Sequence, residues 1–194
     1  MGIFMLASFE AVFGTENGLR LVILIIAALA LGLYLKLSSR NKVKSRADKL
    51  QDMYRVMDSQ KLMETPDSEL IDAVISNIMA GLDPRNPDAY RKVPLLSRGR
   101  CAVYSVWLTC YELRDNSISD YLNSPSGRFA ELAADGFELI GAERCSSLLK
   151  SAYTSDEPIE IEAAGSQLAE AVEQENPLEL CRQYIRANPE EFTD

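Results

Sequence analysis

The sequence predicts an all-α protein, with a single N-terminal transmembrane helix followed by a compact multi-helix cytoplasmic domain. Three observations carry that expectation. Residues 21–35, LVILIIAALALGLYL, form an uncharged apolar run of fifteen residues. From residue 65 onward, apolar side chains recur at helical spacing between cap and stop residues, and no stretch alternates with period two for long enough to make a strand. Charge is also divided: residues 36–49 are basic, whereas residues 50–194 hold 13 bases against 26 acids.

The first element is the apolar run. It is framed by Arg20 and Lys36, and counting out to Leu19 and Leu37 the segment reaches nineteen residues. At about 1.5 Å per residue, that is about 28 Å, close to the hydrocarbon thickness of a bilayer. Residues 1–18 contain Glu10 and Glu16 and no base, so they lack the charged start of a cleaved signal peptide. Lys36, Arg40, Lys42, Lys44, Arg46 and Lys49 follow the run, against Arg20 alone before it. Positive charge stays on the cytoplasmic side. The expected arrangement is a short extracytoplasmic 1–18, an inner-membrane span at 19–37, a basic juxtamembrane helix or linker at 38–62 in contact with lipid, and an acidic helical domain at 63–194. Val43, Ala47, Leu50, Tyr54 and Met57 form a helical stripe within that linker.

The domain follows in order. Thr65-Pro66 is expected to cap a helix whose stripe is Leu70, Ile71, Val74, Ile75, Ile78 and Met79, with Gly81 as its stop. The three prolines of LDPRNPDAYRKVP predict a loop. A helix from about Leu95 to Arg114 carries Cys101, Tyr104, Trp107, Leu108 and Tyr111 inward. A short segment from Ile118 to Leu122 leads into a turn at Asn123-Ser124-Pro125-Ser126-Gly127. Phe129, Leu132, Ala133, Phe137 and Ile140 mark the next helix, which ends at Gly141. Cys145, Leu148, Leu149 and Ala152 mark another, and Ile161, Ala164, Leu168 and Val172 another. In the last helix Asn176 is the expected cap, Pro177 the first position, and Glu179 the third-position acid of a capping box.

Composition bounds the chemistry. The chain has 194 residues, no histidine, and a formal net charge of −9. Histidine-based acid–base chemistry, catalytic triads and histidine-ligated metals are therefore excluded within this chain. An acidic domain does not bind nucleic acid directly, because phosphates need a basic surface. Cys101, Cys110, Cys145 and Cys181 contain no CxxC pair, which speaks against a zinc site and for buried thiols. No cofactor is expected. Glu112, Asp115 and Asp120 cluster in YELRDNSISDYLN, and paired carboxylates can serve as acid and base or hold a hard metal. The competing reading gives Glu112 a structural role, with its side chain accepting backbone N–H bonds from the turn 115–117. Trp107 is expected to be buried. The densest acidic patch runs from Asp156 to Glu179, so Asp156, Glu157, Glu170, Glu173 and Glu175 are the candidate interaction residues.

Residues 98–153 carry a recognisable pattern. Tyr104 and Trp107 are followed by Glu112 and Leu113, then Ile118, Asp120, Tyr121, Leu122 and Asn123, then Ser126 and Gly127, and finally Leu139, Ile140, Gly141 and Ala142. This stretch resembles the core of the bacterial DNA-mimic protein family. Its structural positions here are Trp107, Glu112, Tyr121, Asn123, Gly127 and Gly141. Asp115, Asn116 and Ser117 stand where the family usually shows Asn-Gly-Gly. The resemblance implies a compact helical domain, a homodimer among its states, and an acidic surface able to occupy the DNA-binding face of a regulator. It carries over no particular acid, because the acids lie outside the pattern.

The expected function is a membrane-anchored helical interaction domain that captures a basic, DNA-binding partner, and not an enzyme. Two alternatives stay open: a metal-assisted enzyme using the Glu112–Asp120 carboxylates, and a structural subunit of a membrane complex whose acidic face is only solvated.

Overall fold

The computed structural model describes residues 49–82 and 89–194, and every regular element among them is helical. Helix α1 (Ser59–Glu64) starts where the Asp58 carboxylate accepts from the Lys61 N–H at 2.8 Å. Helix α2 (Asp67–Gly81) buries Leu70, Ile71, Val74, Ile75 and Ile78 of the stripe its spacing predicts, with Ala73 and Asn77 besides, and leaves Met79 half-buried. A 3₁₀ segment (Ala89–Leu95) leads into α3 (Arg98–Leu113), whose N-cap is Ser97. Helix α4 (Ile118–Asn123) is capped by Ser117, and a second 3₁₀ segment (Pro125–Phe129) follows. Then come α5 (Ala130–Leu139), α6 (Glu143–Thr154), α7 (Pro158–Glu175), α8 (Pro177–Ala187) and a last 3₁₀ turn (Pro189–Glu191).

Helix α3 is central. It packs on α5, and also meets α2, α4 and α8. The chain then folds back on itself, α5 against α6 and α6 against α7, and α7 returns to α4. Tyr104, Tyr121, Phe137, Leu149, Leu168, Ile185 and Phe192 fill one continuous core. Each such side chain contributes about 1.5–3 kcal/mol by leaving water.

The C-terminal residues fasten this bundle to residues preceding α1. Asp194 bonds twice to the backbone of Met57: its N–H donates to the Met57 carbonyl at 2.9 Å, and its side-chain carboxylate accepts from the Met57 N–H at 2.8 Å. The same carboxylate accepts from Asn77 at 3.2 Å and from Arg100 at 2.8 Å. Tyr54, Met57 and Leu62 are thereby part of the core of residues 50–194.

Several expectations need correction. The all-α part of the fold class stands, but its membrane part does not: no helix among the described residues is long and apolar enough to cross a membrane. The proposed span 19–37, the extracytoplasmic 1–18, the basic flank before residue 49, and Val43 and Ala47 lie outside the described residues. The single-pass inner-membrane location and its lipid contact have no support among the described residues. Thr65 ends α1 instead of capping α2; its hydroxyl donates back to the Lys61 carbonyl at 2.7 Å. The capping box at Asn176 does not form. Asn176 sits in the left-handed region at φ 47°, its side chain makes no cap bond, and Glu179 is taken by Arg182 at 2.7 Å. Residues 89–94 of the expected proline loop, with Leu95, form the 3₁₀ segment, and residues 83–88 lie outside the described set.

Candidate functional site

Helix α7 is eighteen residues long and contains no lysine or arginine. Its buried side is Ala164, Leu168 and Ala171. At 100° per residue, Glu162, Glu170 and Glu173 fall together on the opposite side, and all three are exposed. Asp156, Glu157 and Glu160 stand exposed at its start. Among the described residues, Glu162, Glu170 and Glu173 enter no ion pair. Arg182 is committed to Glu179 at 2.7 Å, and Arg186 to Asp67 at 2.7 Å. Glu173 also lies in the last turn of α7, at the negative end of the helix dipole, which disfavours an acid. Local stability does not favour these acids, and no neighbour neutralises them.

Glu175 behaves differently. Its carboxylate turns onto the start of α6, accepting from the Arg144 N–H at 3.0 Å and the Cys145 N–H at 2.9 Å. Burial works to raise this carboxyl, but the bonds from Cys145 and Arg144 and the Arg144 charge outweigh it and hold the group below the usual glutamate range. Of the five acids expected to form the interaction patch, Asp156, Glu157, Glu170 and Glu173 are exposed and Glu175 is spent on structure. Glu162 was not among them, although the 3.6-residue period places it on the same side of the helix as Glu173.

The six pattern residues make turns and packing. Trp107 is half-buried, stacked on Tyr111 at 5.8 Å and tilted against Tyr104 at 6.2 Å. The Tyr121 hydroxyl pairs with Thr109 at 2.8 Å, and burial pushes its pKa up to about 12. Asn123 donates to the Ser119 carbonyl at 2.8 Å and closes α4. At Gly127 a Cβ would lie 2.3 Å from the Leu122 carbonyl oxygen, so only glycine fits. Gly141, at φ 88°, ends α5 in a Schellman turn, with the Ala142 N–H reaching the Phe137 carbonyl at 2.8 Å.

Glu112 is structural in a way the sequence did not indicate. Its carboxylate accepts from Ser126 Oγ at 2.9 Å and Asn116 Nδ2 at 3.2 Å, tying together two turns. The N–H groups of Asp115 and Asn116 go to its backbone carbonyl instead. Asp120 accepts from Ser117 Oγ at 2.9 Å, within its own helix cap. No cluster of three cysteine, aspartate or glutamate side chains that could hold a metal occurs among the described residues. The turn 115–117 needs no glycine, since Asn176 alone among the described non-glycine residues has positive φ.

Cys145 and Cys181 are buried, and Cys101 and Cys110 are half-buried. Burial raises all four thiols above the usual range, Cys110 to about 12, so none is a ready nucleophile.

The model of the DMP19-like protein family matches residues 95–192. The chain belongs to the DMP19-like family. That is a DNA-mimic family, which bears out the resemblance at the level of the family. The DMP19-like match runs from α3 to the last 3₁₀ turn, so it includes α7 and leaves α1 and α2 outside. No curated protein and no solved structure matches the chain.

Proposed function

We propose that this DMP19-like protein is an acidic interaction module that captures a basic protein partner through the solvent side of α7. The observation that carries the reading is a base-free helix presenting Glu162, Glu170 and Glu173 without ion pairs, in a region whose two arginines are already committed. Uncompensated carboxylates on one helix side create a negative potential that accelerates association with basic surfaces. Screening limits its reach to about 8 Å at physiological salt, so capture weakens as salt rises. A DNA-binding protein offers the matching surface, because its DNA-contacting face is basic. In this reading the chain supplies surface and charge, not a catalytic centre.

The test is a pull-down with the full chain and with a Glu162→Gln, Glu170→Gln, Glu173→Gln variant, each at low and high salt. The expected partner is recovered by the parent at low salt, released at high salt, displaced by duplex DNA, and missed by the variant. A variant that recovers every partner of the parent would refute the reading. Sedimentation of the bound complex distinguishes one chain from the homodimer that the resemblance implies.

A further inference from the structure

A cleft of about 150 Å³ opens between the first 3₁₀ segment, α3 and the second 3₁₀ segment, and no residue of α7 lines it. Tyr90, Leu108 and Phe129 give it apolar walls, and no acid among the described residues lines it. Liquid water takes about 30 Å³ per molecule, so the space suits one compact group of side-chain size, not a nucleotide or a helix.

Two polar side chains line this space with hydrogen-bond donors to spare. Arg128 is exposed and enters no ion pair among the described residues, although residues 50–194 hold 26 acids against 13 bases. Its Nε donates to the Pro125 carbonyl, and its guanidinium lies over the Phe129 ring at 5.8 Å and the Tyr90 ring at 6.0 Å. Those contacts hold the guanidinium in place and leave its terminal N–H groups without a partner among the described residues. Tyr104 is 2% exposed, yet its hydroxyl also has no partner among them. A phenol sealed away without a partner would be costly. This one is not sealed, since Arg100 Nε is the one fully buried side-chain polar atom without a partner among the described residues. The Tyr104 hydroxyl therefore meets solvent through the cleft that the residue lines. Burial pushes its pKa up to about 12, helped by Tyr90 and opposed by the Arg128 charge, so the hydroxyl keeps its proton and can donate it to a hydrogen bond.

We propose that this cleft binds a carboxylate carried on an apolar body, with the body against Tyr90, Leu108 and Phe129 and the carboxylate between the Arg128 guanidinium and the Tyr104 hydroxyl. A guanidinium meets a carboxylate with two parallel N–H bonds, and a charged acceptor strengthens the bond from a phenol. One fixed cation beside one neutral donor matches a single negative charge and leaves a phosphate dianion under-neutralised. Arg128 repels a cation. A neutral apolar group would displace water from both donors without replacing its hydrogen bonds. The carboxylate can belong to a free acid or to the C-terminus of a peptide, which present the same chemistry. The site shares no residue with the exposed side of α7, so it does not depend on the function proposed above.

The test is titration of the full chain with benzoate as a free acid, N-acetylleucine as a chain end, and the neutral amide of each. Calorimetry gives the affinity. A second readout is the fluorescence of Trp107, the only tryptophan of the chain, whose ring lies 6.2 Å from that of Tyr104. At least one acid should bind with a Kd of about 1 mM or tighter, and its amide about tenfold more weakly or worse. The tighter of the two acids identifies the source of the carboxylate. Arg128→Gln, at an exposed position, should weaken binding by about tenfold or more, and Tyr104→Phe, which removes only the hydroxyl, by about fivefold. The α7 variant Glu162→Gln, Glu170→Gln, Glu173→Gln should bind as the parent does. If Tyr104→Phe fails to fold, Arg128→Gln decides. No binding of either acid, amides that bind as well as the acids, or an affinity undiminished in a folded Arg128→Gln or Tyr104→Phe chain would overturn the proposal.

Discussion

Removing one carboxylate should unpin two helices at once. Helix α6 begins after Ala142, which has no side-chain oxygen to cap it. The N–H groups that a serine or aspartate cap would satisfy, those of the second and third helical residues, belong here to Arg144 and Cys145. Glu175, from the end of α7, accepts from both at 3.0 and 2.9 Å. Loss of a cap costs about 0.5–2 kcal/mol. The carboxylate also faces the positive end of the α6 dipole, which adds about 0.3–1 kcal/mol. Cys145 is buried, so its N–H finds little water once the acceptor is gone. Glu175→Ala should therefore destabilise by about 2 kcal/mol, or about 4–8 °C in Tm for a chain of this size.

Urea unfolding at neutral pH measures the difference, and Glu173→Ala, two residues away and exposed, should shift stability by no more than about 0.5 kcal/mol. The pH dependence has a definite sign. The Glu175 carboxyl is held below its ordinary value in the folded chain. Its contribution is then complete above the unfolded glutamate pKa of about 4.3 and disappears as pH falls through the lower folded value. The gap between parent and Glu175→Ala should narrow in acid. Equal stabilities at neutral pH, or a gap that persists undiminished once the carboxyl is protonated, would refute the reasoning.

Other expectations follow from the same geometry. Asp194→Ala leaves the Arg100 guanidinium, 15% exposed, without its acid and should cost about 1–3 kcal/mol in thermal unfolding. Gly127→Ala drives a Cβ against the Leu122 carbonyl and should cost about 1–3 kcal/mol, read in the same assay. Trp107→Ala should lose about half of the 3–5 kcal/mol expected of a fully buried ring, because Trp107 is half-buried beside an exposed Tyr111. The variant Glu162→Gln, Glu170→Gln, Glu173→Gln should melt no lower than the parent, since it relieves repulsion and an unfavourable dipole position.

The sequence was most legible where structure is local. The apolar stripes of α2, α5 and α7 needed only their 3.6-residue period, and Gly141 needed only its place after Ile140. It was least legible where a distant partner decides. Glu175 reads as one more acid in a run of acids, and nothing nearby shows that its hydrogen-bond donors lie about thirty residues earlier. Thr65-Pro66 reads as a helix start because α1, six residues with only Leu62 buried, leaves too weak a stripe to see. Glu179 stands where a capping box would put it, yet Arg182 three residues on gives its charge a better partner at 2.7 Å than a neutral N–H. The cleft between α3 and the two 3₁₀ segments had no sequence signal, because its walls come from segments joined only by the fold.

The pattern that identifies the family and the surface proposed to act are made of different residues for a physical reason. Trp107, Glu112, Tyr121, Asn123, Gly127 and Gly141 satisfy demands with few solutions: a hydroxyl matched to Thr109, a position with no room for a Cβ, a φ of 88°. Such positions tolerate little exchange, and so they make a recognisable signature. The demand on Glu162, Glu170 and Glu173 is only negative charge on an exposed side, which aspartate, or a glutamate one turn away, meets nearly as well. Long-range attraction depends on summed charge more than on the position of any one carboxylate. An acidic surface can therefore be rebuilt from different residues while the turns beneath it stay fixed, and it falls outside any pattern of fixed positions. Glu175 lies between the two classes. It adds to the same negative field, but its carboxylate must reach two particular N–H groups, and that geometric demand sets it apart from the exposed acids on α7.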